Sequence, residues 1–122
     1  AGKAMLAFLP EHIQQEIINE IPLKPFTNST ITDSAVLRKE LQHIRQNGFA
    51  VSHGEWISDA SGVAVPLFGL RNEVIGGLSI SGPTSRFGAE SIARFSDLAI
   101  EYGRLISSKR GAVYPLQRAL EG

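Results

Sequence analysis

Cysteine is absent from this 122-residue chain, which excludes disulfide bonds, thiolate nucleophiles and zinc sites with sulfur ligands. Charge of one sign is not in excess either, because 12 basic residues balance 12 acidic ones. A domain whose main task is to bind phosphates is normally basic, so this balance argues against direct recognition of nucleic acid. No apolar run approaches the ~20 residues of a membrane helix, and no export signal is recognisable at the start. We therefore expect a single cytoplasmic domain without membrane contact.

What the chain does contain is a strand-like segment, residues 74–83, in which apolar residues alternate with glycine and serine. Side chains of a strand point to opposite faces at period two. One face of the segment therefore carries Val74, Gly76, Leu78 and Ile80. The other face carries Ile75, Gly77, Ser79 and Ser81.

A second apolar segment, residues 62–68, precedes this strand, and the short turn between the two predicts an antiparallel hairpin. If the hairpin closes symmetrically around the middle of the turn, Gly62 lies opposite Ser79 and Ala64 lies opposite Gly77. The serine face of the pair is then almost bare of side chains. Such a face can let a helix pack closely, or it can form the floor of a pocket whose hydroxyls bind a small molecule. These residues alone favour neither use.

Four helices are predicted from apolar residues at three- to four-residue spacing, namely residues 3–9, Pro10 to Ile21, Asp33 to Asn47, and about 89–109. Asp33 is a competent N-cap, and Gly48 is typical of a left-handed helix end. The long last helix has an apolar stripe that we expect to be buried, formed by Ile92, Phe95, Leu98, Ala99, Tyr102, Leu105 and Ile106. With a further strand at residues 49–52, the pattern predicts a small antiparallel sheet with flanking helices, an α+β fold.

Signs of catalysis are few. Residues 77–81 lack the second glycine of the Gly-x-Ser-x-Gly nucleophile turn, and no phosphate-binding loop follows. His53, Glu55 and Asp59 could hold a divalent metal, but their spacing matches no common zinc pattern, and exposed loop residues explain them more simply. We expect Trp56 to pack in the core or at its rim rather than to line a cavity. The sequence therefore predicts no enzyme, no cofactor and no metal, with a small metal-dependent hydrolase kept as an alternative.

The order of the motifs resembles the C-terminal effector-binding domain of IclR-family transcription regulators. The similar stretches are residues 2–7 (family pattern G-K-A-x-L-A), 30–51 (T-I-T-D…E-L…I-R…G-Y-A-V), 55–66 (E…A-x-P) and 78–87 (S-x-S-G-P-x-S-R-L). Each motif is weak alone, but their order and spacing together are specific, and the match covers nearly all of residues 2–110.

The resemblance implies a GAF- or profilin-like domain over residues 1–110 that senses a small-molecule effector. Residues 111–122 are then a C-terminal tail that is disordered or partly vector-derived. Family members carry an N-terminal winged helix-turn-helix that binds operator DNA, and they form dimers and tetramers. We therefore expect a cytoplasmic homodimer or homotetramer that meets operator DNA only through a domain outside this sequence. The start of the sensor domain, which normally precedes the G-K-A motif, would be missing as well.

The resemblance also implies a site. Ser79 and Ser81 match two serines that contact the carboxylate or carbonyl of an effector in family members. Ala60, Ser61 and Gly62 match the loop and strand start that face those serines.

Two positions depart from the family pattern. Gly62 stands where many members have cysteine, which removes a side chain from the floor of the site. Asp59 replaces a usual glycine and would place a carboxylate at the rim, so we expect a neutral, aromatic or larger ligand rather than a small acid. An oligomerisation or interaction module with a closed, ligand-free core remains the alternative from a different class.

Overall fold

The computed structural model describes residues 1–20, 23, 30–55 and 57–112. Its elements in chain order are α1 (Gly2–Ala7), α2 (Glu11–Glu20), α3 (Ser34–Asn47), β1 (Ala50–His53), β2 (Ala60–Phe68), β3 (Val74–Pro83), a 3-10 helix (Thr84–Arg86) and α4 (Ala89–Lys109). The strands form an antiparallel sheet in the order β1-β2-β3, and helices pack on it. The predicted α+β fold is confirmed.

Helix α3 begins and ends where the local chemistry predicts. The Asp33 carboxylate accepts a hydrogen bond from the backbone N–H of Ala35 at 2.8 Å, which satisfies a donor that the first turn leaves free. Gly48 follows the helix with a φ of 90°, a left-handed conformation that glycine adopts without steric cost. The apolar residues whose spacing predicts this helix are buried: Leu37, Leu41 and Ile44.

The register of the β2–β3 hairpin differs from the symmetrical one that the sequence suggested. Gly62 lies opposite Ser81 rather than Ser79. The turn is longer than expected, since the Gly69 N–H donates to the Glu73 carbonyl at 2.9 Å and a β-bulge interrupts the pairing near the end of β2. A shift of the partner by two residues preserves the faces of both strands. The serines therefore keep the face predicted for them although their partners change.

One face of the sheet carries large side chains and packs against α4. The buried cluster on this face consists of Val63, Val65, Phe87, Ala99 and Ile100. Leu78 and Ile80 of β3 pack against this cluster. The Ser107 hydroxyl accepts a hydrogen bond from the Phe68 N–H at 3.0 Å and so ties the end of α4 to β2.

The apolar stripe predicted for α4 is only partly buried, so that prediction was wrong for four of its members. Its exposed members are Leu98 (38%), Tyr102 (53%), Leu105 (50%) and Ile106 (37%). The residues of α4 that are buried are mostly small: Ser96, Ala99, Ile100, Gly103 and Ser107. Small side chains let the helix lie close to the valines of β2, which turns the larger apolar residues outward.

The opposite face of the sheet packs against α1 at one end. A Cβ added at Gly77 would lie 3.0 Å from the Ala1 Cβ and 3.4 Å from the Met5 Cγ, so the missing side chain lets α1 lie close to β3. Ala4 and Ala7 of α1 are fully buried in a cluster that α3 completes. Close helix packing, one of the two uses predicted for the bare face, is thus realised at this end.

Three sequence predictions extend to residues outside the described ones: the helix end at Ile21, the packing of Trp56, and the tail at residues 113–122. Of the expected tail, Gly111 and Ala112 are described, and Ala112 is buried against Phe68. No helix in the described part of the chain is long and apolar enough to cross a bilayer.

Candidate ligand-binding site

Beyond the contact with α1, the bare face of the sheet forms the floor of a cavity of about 350 Å³. The strand register places Ser52, Gly62 and Ser81 in one row across the sheet, and Ala50, Ala64 and Ser79 in the next. Gly62 therefore lies between two serines. A Cβ added there would approach the Ser81 hydroxyl to 3.1 Å, so the strip beside that hydroxyl stays open only because residue 62 is glycine.

The walls of this cavity are formed by the start of α1 and by the β1–β2 connection. Lys3 is the charged centre of the wall. Its ammonium lies 2.6 Å from Glu40 Oε1 and 2.7 Å from Glu55 Oε2, and it donates to the Val51 carbonyl at 2.7 Å. These three acceptors match the three N–H donors of a lysine ammonium. Lys3 thus joins α1, α3, β1 and the β1–β2 connection.

Five of the six predicted site residues line the cavity: Ser79, Ser81, Gly62, Ser61 and Ala60. The Ser61 hydroxyl is already bonded to Thr84 Oγ1 at 2.9 Å. Because the Thr84 hydroxyl donates its own proton to the Ser58 carbonyl at 3.0 Å, Ser61 is the donor in that pair. Ser61 thus fastens the 3-10 helix to β2. Asp59 is exposed and does not line the cavity, so the expected carboxylate at the rim is not at the cavity wall.

Two residues of the site were missed by sequence reasoning. Ser52 shares the row of Gly62 and Ser81, and the alternation of small residues in β1 could have indicated it. Lys3 is the single charged residue in the apolar stretch 1–9, which is an unusual place for a lysine unless its charge is paired.

The residues considered as metal ligands are not brought together. His53 and Asp59 are exposed, and the Glu55 carboxylate is turned to Lys3. Among the described residues, no group of three or more His, Asp or Glu side chains is arranged to hold a metal ion. The alternative of a metal-dependent hydrolase therefore has no site in this part of the chain.

A second cavity, of about 460 Å³, borders the first. The two cavities share the wall residues Gly2, Lys3 and Glu55. The remaining lining of the second cavity is almost entirely apolar: Met5, Leu6, Leu9, Ile17, Leu23, Thr30, Ile31 and Leu37. A hydroxylated cavity and an apolar cavity thus meet at the start of α1.

Residues 1–108 match the family model described as bacterial transcriptional regulator IclR C-terminal. The chain belongs to the IclR family. The HTH-type transcriptional regulator BhcR of Paracoccus denitrificans is 36% identical over 106 residues, which cover 87% of this chain and 38% of BhcR. The sequence thus spans about two fifths of the length of this curated IclR-family relative.

Solved structures of the family have the same fold. The IclR protein of Thermotoga maritima superposes with a TM-score of 0.89 at 40% identity, over 91% of this chain and 45% of that one. The inducer-binding domain of PobR from Acinetobacter, a double mutant in complex with 3-hydroxybenzoic acid, has a TM-score of 0.79 at 25% identity, over 87% of this chain and 63% of that one. The fold and family expected from the motifs are therefore confirmed.

Proposed function

We propose that residues 1–110 are the effector-binding domain of a bacterial IclR-type transcription regulator. The observation that carries this proposal is the cavity of about 350 Å³ whose floor is bare except for the hydroxyls of Ser52, Ser79 and Ser81. Small-molecule sites usually have volumes of about 300–1,000 Å³ and a few convergent polar groups. The PobR inducer-binding domain, which has the same fold, binds an aromatic acid, and this supports an organic molecule of similar size as the ligand.

The proposed effector acts by shifting a population of conformations. A ligand changes such an equilibrium only by the difference between its affinities for the two states. Lys3 is suited to transmit that difference, because it lies in the cavity wall and holds α3, β1 and the β1–β2 connection to α1. Operator DNA is contacted in this scheme through a separate domain, in the cytoplasm, and the sensor domain itself catalyses no reaction.

We propose further that the effector is neutral. The three donors of Lys3 already have acceptors, and the Glu55 carboxylate lies in the same wall. A ligand carboxylate would have to displace one of these acceptors and would be repelled by Glu55. A carbonyl, amide or hydroxyl group can instead bond to Ser79 and Ser81 without breaking the Lys3 contacts. Glu55, rather than Asp59, is the carboxylate that lines the cavity.

Calorimetry with a matched pair of probes tests both the position of the site and the neutral charge of the effector. We expect 3-hydroxybenzamide to bind more tightly than 3-hydroxybenzoate, and the double variant Ser79→Ala/Ser81→Ala to bind the amide at least about tenfold more weakly, the loss expected for two hydrogen bonds. Ser108→Ala is the control, because that hydroxyl is exposed on α4 and bonds within its own helix. A preference for the carboxylate contradicts the neutral ligand, and unchanged binding by the double variant contradicts the site.

A role in homo-oligomerisation is the second candidate, and one observation favours it. Leu98, Tyr102 and Ile106 of α4 form an exposed apolar surface together with Leu78 and Ile80 of β3. Contiguous exposed apolar surface is typical of protein interfaces. The two candidates are compatible, because this surface and the cavity lie on opposite faces of the sheet.

A further inference from the structure

The hydroxylated cavity and the apolar cavity have complementary chemistry and a common boundary. The first has the hydroxyls of Ser79 and Ser81 on its floor. The second has almost no polar lining apart from Thr30 and the shared residues Lys3 and Glu55. The first cavity offers a polar group hydroxyl partners among small residues, and the second offers a hydrocarbon chain an almost entirely apolar lining, so a single molecule with both parts would match the pair.

We propose that the two cavities are one bipartite site for an amphipathic small molecule. Its polar head bonds to Ser79 and Ser81, and its apolar tail passes Gly2 and lies between α1 and α2. This inference rests on the proposed effector-binding function and adds the class of effector: a neutral polar group attached to an alkyl or aryl chain.

Gly2 is the point at which the tail would pass. It lines both cavities, and a Cβ added there would meet no atom within 4 Å. Gly2 is exposed, so this space is open to solvent, and a longer side chain at this position would enter it without displacing a neighbour. The other shared residues, Lys3 and Glu55, are held by their ion pair at 2.7 Å, so Gly2 is the shared residue past which we place the tail.

The apolar cavity has a frame that does not depend on a ligand. The Gln14 side-chain amide donates to the Leu6 carbonyl at 2.8 Å and joins α2 to α1. The Thr30 hydroxyl donates to the Glu55 carbonyl and joins the segment before α3 to the β1–β2 connection. A preformed apolar cavity binds a hydrocarbon chain without first having to be ordered, and burial of each methylene raises affinity by about fourfold.

The experiment measures affinity by calorimetry for three probes with one head: 3-hydroxybenzamide and its N-butyl and N-octyl derivatives. For the wild-type chain we expect the N-butyl probe to bind at least about tenfold more tightly than the head alone, and the N-octyl probe more tightly again. Gly2→Leu should reduce the gain from the tail to less than about twofold and leave the affinity for 3-hydroxybenzamide unchanged, since the head does not pass residue 2.

Two further variants make the result specific. Gly2→Ala is the matched control, because it makes the same change in backbone freedom with a side chain too short to fill the passage. Ile17→Phe adds volume within the apolar cavity. Ile17 lines that cavity and does not line the hydroxylated one. We expect Gly2→Ala to keep the gain from the tail and Ile17→Phe to reduce it for the N-octyl probe. Circular dichroism on each variant confirms that it is folded.

The outcomes separate the inference from the function on which it rests. If the head binds through Ser79 and Ser81 but the tails add no affinity, the bipartite site is wrong and the effector site stands. If the tails add affinity that survives both Gly2→Leu and Ile17→Phe, the tail lies elsewhere, for example on α4, and the inference is again wrong. If none of the three probes binds, both the effector site for this class of ligand and the bipartite site are overturned.

Discussion

The two faces of the sheet are built from alternate residues of the same strands, yet one is filled and the other is hollow. Towards α4, Val63 and Val65 are completely buried. Towards α1, their neighbours Gly62 and Ala64 leave a cavity of about 350 Å³. The cavity therefore arises from side-chain volume at period two, not from a gap between domains. Stability and ligand binding are assigned to opposite faces, so substitutions on one face should affect mainly one property.

The largest effect should come from removing a large side chain from the filled face. Phe87 is 3% exposed, and its ring lies 5.4 Å from the ring of Phe95. Phe87→Ala leaves a cavity in this cluster and should lower the free energy of unfolding by about 3–5 kcal/mol, measured by denaturant titration. Ser79→Ala on the hollow face is the control and should change it by less than about 0.5 kcal/mol. Similar losses in the two variants would show that the faces do not differ in this way.

The comparison of faces also explains how much of the site could be predicted. The assignment of Ser79, Ser81 and Gly62 to one face depends only on alternation, and a hairpin that slips by two residues preserves it. The partners across the hairpin depend on the length of the turn and on a bulge, which the sequence around Gly69 does not reveal. The residues of the cavity floor were therefore predictable, whereas their pairing across the strands was not.

The wall of the cavity could not be predicted in the same way. Lys3 meets Glu40, Val51 and Glu55, which lie 37, 48 and 52 residues away in the chain. No local periodicity reports contacts of that separation. The prediction that the α4 stripe is buried was wrong for a related reason. Periodicity identifies an apolar face of a helix. How deeply Leu105 or Tyr102 is buried depends instead on how closely the small residues let the helix approach the sheet.

An intermediate effect on the free energy of unfolding should come from Lys3, which stabilises the cavity side of the sheet through ion pairs rather than through apolar packing. Its side chain is 18% exposed, and both carboxylate partners are only partly exposed. Lys3→Met removes three hydrogen bonds and leaves Glu40 and Glu55 close together, so we expect a loss of about 1–2 kcal/mol after allowance for solvent screening. Lys3→Arg keeps the charge and should lose less. If Lys3→Met unfolds at the same denaturant concentration as the wild type, the hollow side is held by packing alone.

The smallest effect on stability should come from the outer stripe of α4, where the two faces of one helix can be compared directly. Leu105 is 50% exposed and Ile100 is 5% exposed. Leu105→Gln should change the free energy of unfolding by less than about 0.5 kcal/mol at low protein concentration. The same change at Ile100 should cost about 2–5 kcal/mol, because it removes buried hydrocarbon and buries an amide.

Sedimentation of the same Leu105→Gln variant separates an exposed residue from an oligomer contact. If the stripe joins copies of this chain, association stabilises the folded state more as protein concentration rises, and the variant should sediment as a smaller species than the wild type. An unchanged sedimentation coefficient would exclude Leu105 from the oligomer contact. If Leu105→Gln at low protein concentration lowers the free energy of unfolding as much as the same change at Ile100, then Leu105 is buried within the chain and not exposed on α4.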